Sequence, residues 1–272
     1  MSHSRSIFIT GASSGIGLAT AKLFHDKGWQ VAATMRDPKD AASWMTGERC
    51  VIFACDVTDQ SALDAAAGET LSKFGKIDVA FANAGYGLNG PIEGATEEQM
   101  LRQFDVNVHG VARTIKAVAP DMRARKSGLI ITTSSIGGLI GMPMAPFYIS
   151  SKHAVEGLIE SARFELAPFG IQMKLLEPGG IKTDFSRRSA DWTDHPAYAD
   201  AISAGKKMAV DLLDSAPAPE KVAEVVLKMA TDGKDRLRYL AKPGPYVALY
   251  KALPDRLWRG MIQMALRNAA KN

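Results

Sequence analysis

The run Ser6-Ile7-Phe8-Ile9-Thr10 leads straight into Gly11-Ala12-Ser13-Ser14-Gly15-Ile16-Gly17. Its first five residues form a short run centred on the apolar Ile7, Phe8 and Ile9, the pattern of a strand. From about residue 15 to 27 the pattern is helical. A glycine-rich turn between strand and helix lets the backbone approach a pyrophosphate closely, and the helix N-terminus offers free N–H groups. The spacing is Gly-x3-Gly-x-Gly rather than Gly-x-Gly-x2-Gly, so the turn alone also fits a plain strand-to-helix connection.

Outward from it, strands and helices alternate. Further strands are expected at Gln30–Met35, Val51–Ala54, Val79–Ala82, Gly128–Thr133 and Gln172–Leu176, with helices near 60–74, 97–126 and 150–167. Strands separated by helices of this length build right-handed βαβ units and a parallel sheet. The strands are nearly all apolar, as both-sided burial requires. The expected fold is a Rossmann-type doubly wound α/β sheet with helices on both faces. It forms a single domain over residues 1–272. Residues 184–215 look irregular and are expected to form a mobile wall of the substrate pocket. A helix at Glu220–Ala230 and a short strand at Arg238–Leu240 follow, and 242–272 reads as a C-terminal helical extension.

Composition narrows the function. The chain has 272 residues, 46% hydrophobic and 23% charged, with 33 basic and 29 acidic side chains giving a net charge of +4. That excludes a disordered or collagen-like chain and gives no argument for nucleic acid. Arg187-Arg188 and Lys206-Lys207 are basic pairs of the kind that usually form solvated surface. Cys50 and Cys55 fall on opposite faces of one strand, too far apart for a disulfide, which suggests a reducing, cytoplasmic setting. Ile7–Ile9 is too short for an export signal. The uncharged stretch Ser127–Ser151 is long enough to span a bilayer, but Gly137-Gly138, Pro143 and Pro146 mark it as a buried strand and loop. His3, His25, His109, His153 and His195 show no metal-ligand spacing, and no metal is expected.

Three more motifs complete the picture. Tyr148-Ile149-Ser150-Ser151-Lys152 puts a phenol and an ammonium four apart on one helix face, where the cation favours phenolate. Ser134-Ser135 ends the strand before that helix. Asn83-Ala84-Gly85 ends another strand at the same sheet edge, where open α/β sheets bind ligands.

Together these motifs resemble the short-chain dehydrogenase/reductase family, closely over residues 6 to about 184. The resemblance selects Ser135 over Ser134 and adds Asn107, in Asn107-Val108-His109-Gly110. The implied catalytic set is Asn107, Ser135, Tyr148 and Lys152. Tyr148 would exchange a proton with the substrate oxygen, Ser135 would hydrogen-bond that oxygen, Lys152 would lower the phenol pKa and hold the nicotinamide ribose, and Asn107 would position a relay water. The implied cofactor contacts are Gly11, Ser13, Ser14, Gly15, Ile16, Gly17, Arg36, Asp56, Val57, Asn83, Ala84, Gly85, Tyr148, Lys152, Pro178, Gly179, Ile181 and Thr183. One departure is Ala82, where many relatives carry asparagine.

At the end of the second strand, Met35 stands where an acid would hold the ribose of NAD, and Arg36 follows. The resemblance implies NADP(H) over NAD(H), with Asp37 as the complication. The run Ser135–Gly141 resembles hydroxysteroid and retinol dehydrogenases, pointing to a lipophilic ketone, aldehyde or alcohol. Expected substrate contacts are Ser135, Met142, Met144, Tyr148, Gly180 and Phe185. Leu257, Trp258, Met261, Ile262 and Ala265 form an apolar stripe flanked by Arg256, Arg259 and Arg267. It is expected to pack on its own domain or a subunit partner rather than on a membrane surface. Relatives imply a homodimer or homotetramer. A non-catalytic NADP-binding regulatory protein is the alternative reading, and a sugar-nucleotide epimerase is a third.

Overall fold

The structure, a computed structural model, describes residues 4–183, 190–214 and 216–271. Its main sheet has seven parallel strands in the order β3-β2-β1-β4-β6-β7-β9. They are β1 (Ser6–Thr10), β2 (Gln30–Met35), β3 (Cys50–Ala54), β4 (Val79–Ala82), β6 (Gly128–Thr133), β7 (Ile171–Pro178) and β9 (Arg238–Ala241). β5 (Gly87–Asn89) pairs separately with β8 (Ala190–Trp192). The helices are α1 (Gly15–Asp26), α2 (Gln60–Phe74), α3 (Glu97–Phe104), α4 (Gly110–Arg125), α5 (Pro146–Leu166), α6 (Ala199–Asp214), α7 (Glu220–Thr231), α8 (Tyr246–Ala252) and α9 (Asp255–Lys271).

Strand side chains alternate between two covered faces. Ile7 and Ile9 pack with Phe24 of α1 and Val222, Val226 and Met229 of α7. Phe8, between them, packs with Leu63 of α2, Val118 of α4 and Val155 of α5. Each such fully buried side chain contributes about 1.5–3 kcal/mol. Cys50 belongs to the first layer and Cys55 to the second, and both are free thiols. This is the expected doubly wound Rossmann-type arrangement in one domain.

The strand order reverses between β1 and β4, which opens a crevice beyond their carboxyl ends. Asn83, just past β4, holds that crevice together. Its Nδ2 donates to the Thr10 and Gly11 carbonyls at 3.1 and 3.3 Å, and its Oδ1 accepts from Thr133 Oγ1 at 3.1 Å.

Two regions differ from the sequence reading. The segment expected to be irregular carries β8 and α6, because Ile202 and Ala204 supply a buried face to the helix. The tail helix α9 packs against α6, with Trp258 only 5% exposed and its ring 5.3 Å from that of Tyr250. Leu257, in the same stripe, stays exposed at 57%. The uncharged stretch 127–151 is β6, a 3-10 turn and the start of α5. No helix among the described residues is long and apolar enough to cross a membrane.

Candidate active site

A cleft of about 940 Å³ lies along the carboxyl edge of the sheet. Gly11, Ser13, Ser14, Gly15 and Ile16 line it on one side, and Pro178, Gly179, Gly180, Ile181 and Thr183 on the other. Gly11 and Gly15 have φ of +68° and +55°, which L side chains adopt at a cost. Gly17 lies outside the lining but has no room for a Cβ against the Gly11 carbonyl and Asn83. A Cβ on Gly15 would touch Thr183 at 3.3 Å, so the two walls nearly meet there. Ser14 caps α1 without a side-chain hydrogen bond, leaving the helix's first N–H groups facing the turn. This cradle fits a dinucleotide pyrophosphate.

Arg36 lines the same cleft. It is exposed and makes no hydrogen bond or ion pair with the described residues. Asp37 does not line the cleft. Its carboxylate accepts from Lys39 N at 2.9 Å, capping the short turn that follows. Asp56 lines the cleft and is fixed by Thr58 N and Oγ1 at 2.9 and 2.8 Å. Val57, Ala84 and Gly85 line it too.

Ser135, Tyr148 and Lys152 converge on the other end of this cleft. β6 ends at Thr133, and Ser135 opens a 3-10 turn in which its Oγ accepts from Gly137 N at 3.0 Å. α5 starts at Pro146, earlier than expected, since proline suits the first helical turn. Tyr148 and Lys152 are therefore on successive turns of one face. Burial raises the phenol's pKa, and a hydrogen bond with Ser135 pulls it back. Lys152 is 5% exposed, and its Nζ donates to the Thr133 carbonyl at 2.9 Å. Burial lowers its pKa to about 8, against the charge of Glu156. Its Nζ stands 5.8 Å from the Tyr148 ring, and the lowering effect on the phenol comes from Ser135.

Asn107 lies in a wide π-turn, Asp105–His109, between α3 and α4. Such turns inside helices often re-aim a functional side chain. Its Oδ1 accepts from Tyr86 N at 2.9 Å, and Nδ2 donates to the Tyr86 carbonyl and Ser151 Oγ at 2.9 and 3.1 Å. A Cβ on Gly85 would stand 3.1 Å from Asn107 Oδ1 and 3.8 Å from Lys152 Nζ, so the four expected residues gather in one place.

The expected pocket wall is corrected in part. Met142 and Met144 are not in the cleft lining. Met144 has φ +57°, and its side chain and Trp192 both sit against Gly205 of α6. Phe185 lies outside the described residues. Glu97, Glu98, Leu101 and Arg102, which the sequence reading missed, line the cleft, as do Tyr86 and, from the 184–215 segment, Asp191 and Leu213. The signal for the first four is Thr96-x-x-Gln99, a capping box that starts α3 at the cleft rim. Among the described residues no cluster of metal-ligating side chains occurs.

The fold and this cleft define a dinucleotide-binding α/β protein with a serine, a tyrosine and a lysine beside the dinucleotide seat. The short-chain dehydrogenase family model matches residues 5–194, and the chain belongs to that family. It is 35% identical over 269 residues to the 3-ketodihydrosphingosine reductase of Bacteroides thetaiotaomicron, covering 96% of each. It is 37% identical over 257 residues to human 17-beta-hydroxysteroid dehydrogenase type 1, covering 86% of this chain and 76% of that one. A solved short-chain dehydrogenase from Streptomyces avermitilis superposes with a TM-score of 0.84 at 29% identity, over 100% of this chain and 99% of that one. Solved relatives hold different nicotinamide cofactors. A metagenomic enzyme is in complex with NADP (TM-score 0.71, 28% identity, 90% and 100% coverage) and a Burkholderia phymatum enzyme with NAD (0.80, 25%, 96% and 95%).

Proposed function

We propose that the chain is an NADP(H)-dependent oxidoreductase that interconverts a lipophilic ketone or aldehyde and its alcohol. One observation carries this reading: a single cleft joins the unpaired Arg36 at its nucleotide end to Ser135, Tyr148 and Lys152 at the other. Arg36 would meet the 2′-phosphate, while Asp37 is held by its capping bond. When bound, the nicotinamide supplies or accepts hydride. Tyr148 donates its proton to the carbonyl oxygen. Its raised pKa keeps that proton in place near neutrality, the state that reduction needs. Ser135 hydrogen-bonds the same oxygen as charge develops on it. Lys152 holds the ribose and backs the phenol. Asn107, its amide fixed by Tyr86 and Ser151, would position a relay water beside Lys152.

The named relatives act on a sphingoid ketone and a steroid by their own descriptions. That supports a lipophilic substrate, as do Tyr86, Leu101 and Leu213 in the cleft wall. The expected homodimer or homotetramer would use the outer face of α5, where Phe164 is 73% exposed. Two free thiols suit the expected cytoplasmic setting.

The test is NADPH consumption against steroid, sphingoid, retinoid and aliphatic carbonyls, with Tyr148→Phe alongside. The expected outcome is turnover on one class and a loss of roughly 10²–10⁴-fold in the variant with NADPH affinity retained. NADPH binding with no carbonyl or alcohol turned over would refute the enzyme reading.

A further inference from the structure

A buried group of charges adjoins Lys152 and has no part in the reaction above. Glu156 lies one turn further along α5, on the same face as Lys152. It is 6% exposed, and Glu177, near the end of β7, is 1% exposed. Arg238 of β9 serves both. Its Nε donates to Glu156 Oε2 at 2.9 Å and stands 3.4 Å from Glu177 Oε1. Its outer nitrogen reaches Glu160 Oε2 at 2.8 Å. One guanidinium thus faces three carboxylates, two of them buried.

Oε1 of Glu156 and Oε1 of Glu177 are buried without a hydrogen-bond partner. Two ionised carboxylates in that setting cost more than one shared guanidinium offsets. A proton on one of them relieves the excess. The group is also packed tightly onto the cleft. At Gly138, just past Ser135, an added Cβ would meet Ser134 Oγ at 2.6 Å, Glu156 Cγ at 2.9 Å and the Lys152 carbonyl at 3.1 Å.

We propose that Glu156 and Glu177, bridged by Arg238, form a buried carboxylate pair that sets the protonation of Lys152. Glu156 is the positioning residue and Glu177 its pH-sensitive partner. This concerns the same site as the oxidoreductase reading and, for its effect on turnover, rests on it. Burial first, then the charge of Glu156, raises Glu177 to about 7, against Arg238, Lys251 and Arg236. Those four residues, on α5, β9, α8 and the turn before β9, are the charged groups facing it. Lys152 is faced by Glu156 and Tyr148 on its own helix and by the Thr133 carbonyl of β6. As pH rises through neutrality, Glu177 releases its proton to solvent. Its new charge competes for the Arg238 guanidinium it shares with Glu156, which leaves the Glu156 charge to hold the Lys152 ammonium against the pull of burial. The group would thus extend the pH range in which Lys152 is charged.

The test is a titration of the full chain labelled with ¹⁵N-lysine, following Lys152 Nζ, assigned by its absence from Lys152→Met. Glu156→Gln is expected to lower the Lys152 midpoint by about one pH unit, and Glu177→Gln by about half as much. Glu156→Asp, which keeps the charge, should restore most of the first shift. The alkaline limb of the kcat profile should move by the same amounts. An unchanged Lys152 midpoint in both glutamine variants overturns the proposal. If Glu156→Gln fails to fold, Glu177→Gln decides alone, since it replaces a buried carboxyl with an amide of the same shape. Midpoints that shift as stated in a protein with no turnover would uphold this proposal and sink the oxidoreductase reading. Turnover with unmoved midpoints would do the reverse.

Discussion

Two buried lysines stand at opposite ends of the sheet. Lys174 on β7 is 1% exposed, and its Nζ donates to Asp232 Oδ1 at 2.8 Å and to the Met229 carbonyl at 2.7 Å. Tyr239 donates its hydroxyl to the other oxygen of Asp232 at 2.7 Å. Desolvation works to raise Asp232, but the bonds from Lys174 and Tyr239 win and bring it to about 2. Lys152 is almost as buried, yet its Nζ donates to the neutral Thr133 carbonyl, and its pKa falls to about 8. A paired buried ion is inert and fixed. An ion left with a neutral partner keeps a proton that can be moved, and perturbed groups of that kind gather at functional sites.

The contrast can be probed in four ways. The largest effect is expected for Lys152→Met, with turnover down roughly 10²–10⁴-fold while the thermal midpoint holds or rises, because a buried ammonium bonded to a neutral carbonyl is removed. Steady-state kinetics beside a thermal melt would check this. A melt that drops as far as the next variant's would erase the distinction between the two lysines. Asp232→Asn strands the Lys174 ammonium and should cost about 3–5 kcal/mol in denaturant unfolding, with activity intact wherever the protein stays folded.

Arg36→Ala removes an unpaired cation from the cleft rim. The NADPH-over-NADH preference in kcat/KM should fall about ten- to a hundredfold, the worth of one charge-assisted hydrogen bond. Unchanged preference would move the phosphate contact elsewhere. The smallest effect concerns acid. Asp232 has a folded pKa below its ordinary value, so its stabilisation is full above about pH 4 and is lost as pH falls through about 2. About 1–2 kcal/mol should vanish across that window in the wild type and not in Asp232→Asn.

Most of the scaffold was legible because it follows from burial. Strands covered on both faces read as apolar runs, and β1, β2, β4 and β6 fall where those runs predict. The glycine turn and the Tyr148/Lys152 pair carry their own spacing. The rest depended on contacts that no local pattern encodes. α6 was hidden because its few buried residues lie among charges. The start of α5 was hidden because Pro146 reads as loop until it falls in the first helical turn. Met142 and Met144 were assigned to the pocket by position in the chain, and the left-handed backbone at Met144 goes with a side chain set against α6 instead. The sequence left open which of Arg36 and Asp37 borders the cleft; Arg36 lines it, and Asp37 caps the following turn through Lys39 N. Nothing in the sequence marks Glu177, whose partners come from residues 156 and 238.

The ties made by Asn83 also bear on how the chain acquires its cleft. They join the turn after β1 to the end of β6, 73 and 50 residues away in the chain. The seat for the dinucleotide therefore exists only after the middle of the sheet has closed, a late event for non-local parallel pairing. A nucleotide that recognises this seat binds the finished fold and not its precursors. At a hundredfold excess over Kd it would add about 2.7 kcal/mol to the native state, so cellular nucleotide levels would bear on the lifetime of the folded protein as well as on its turnover.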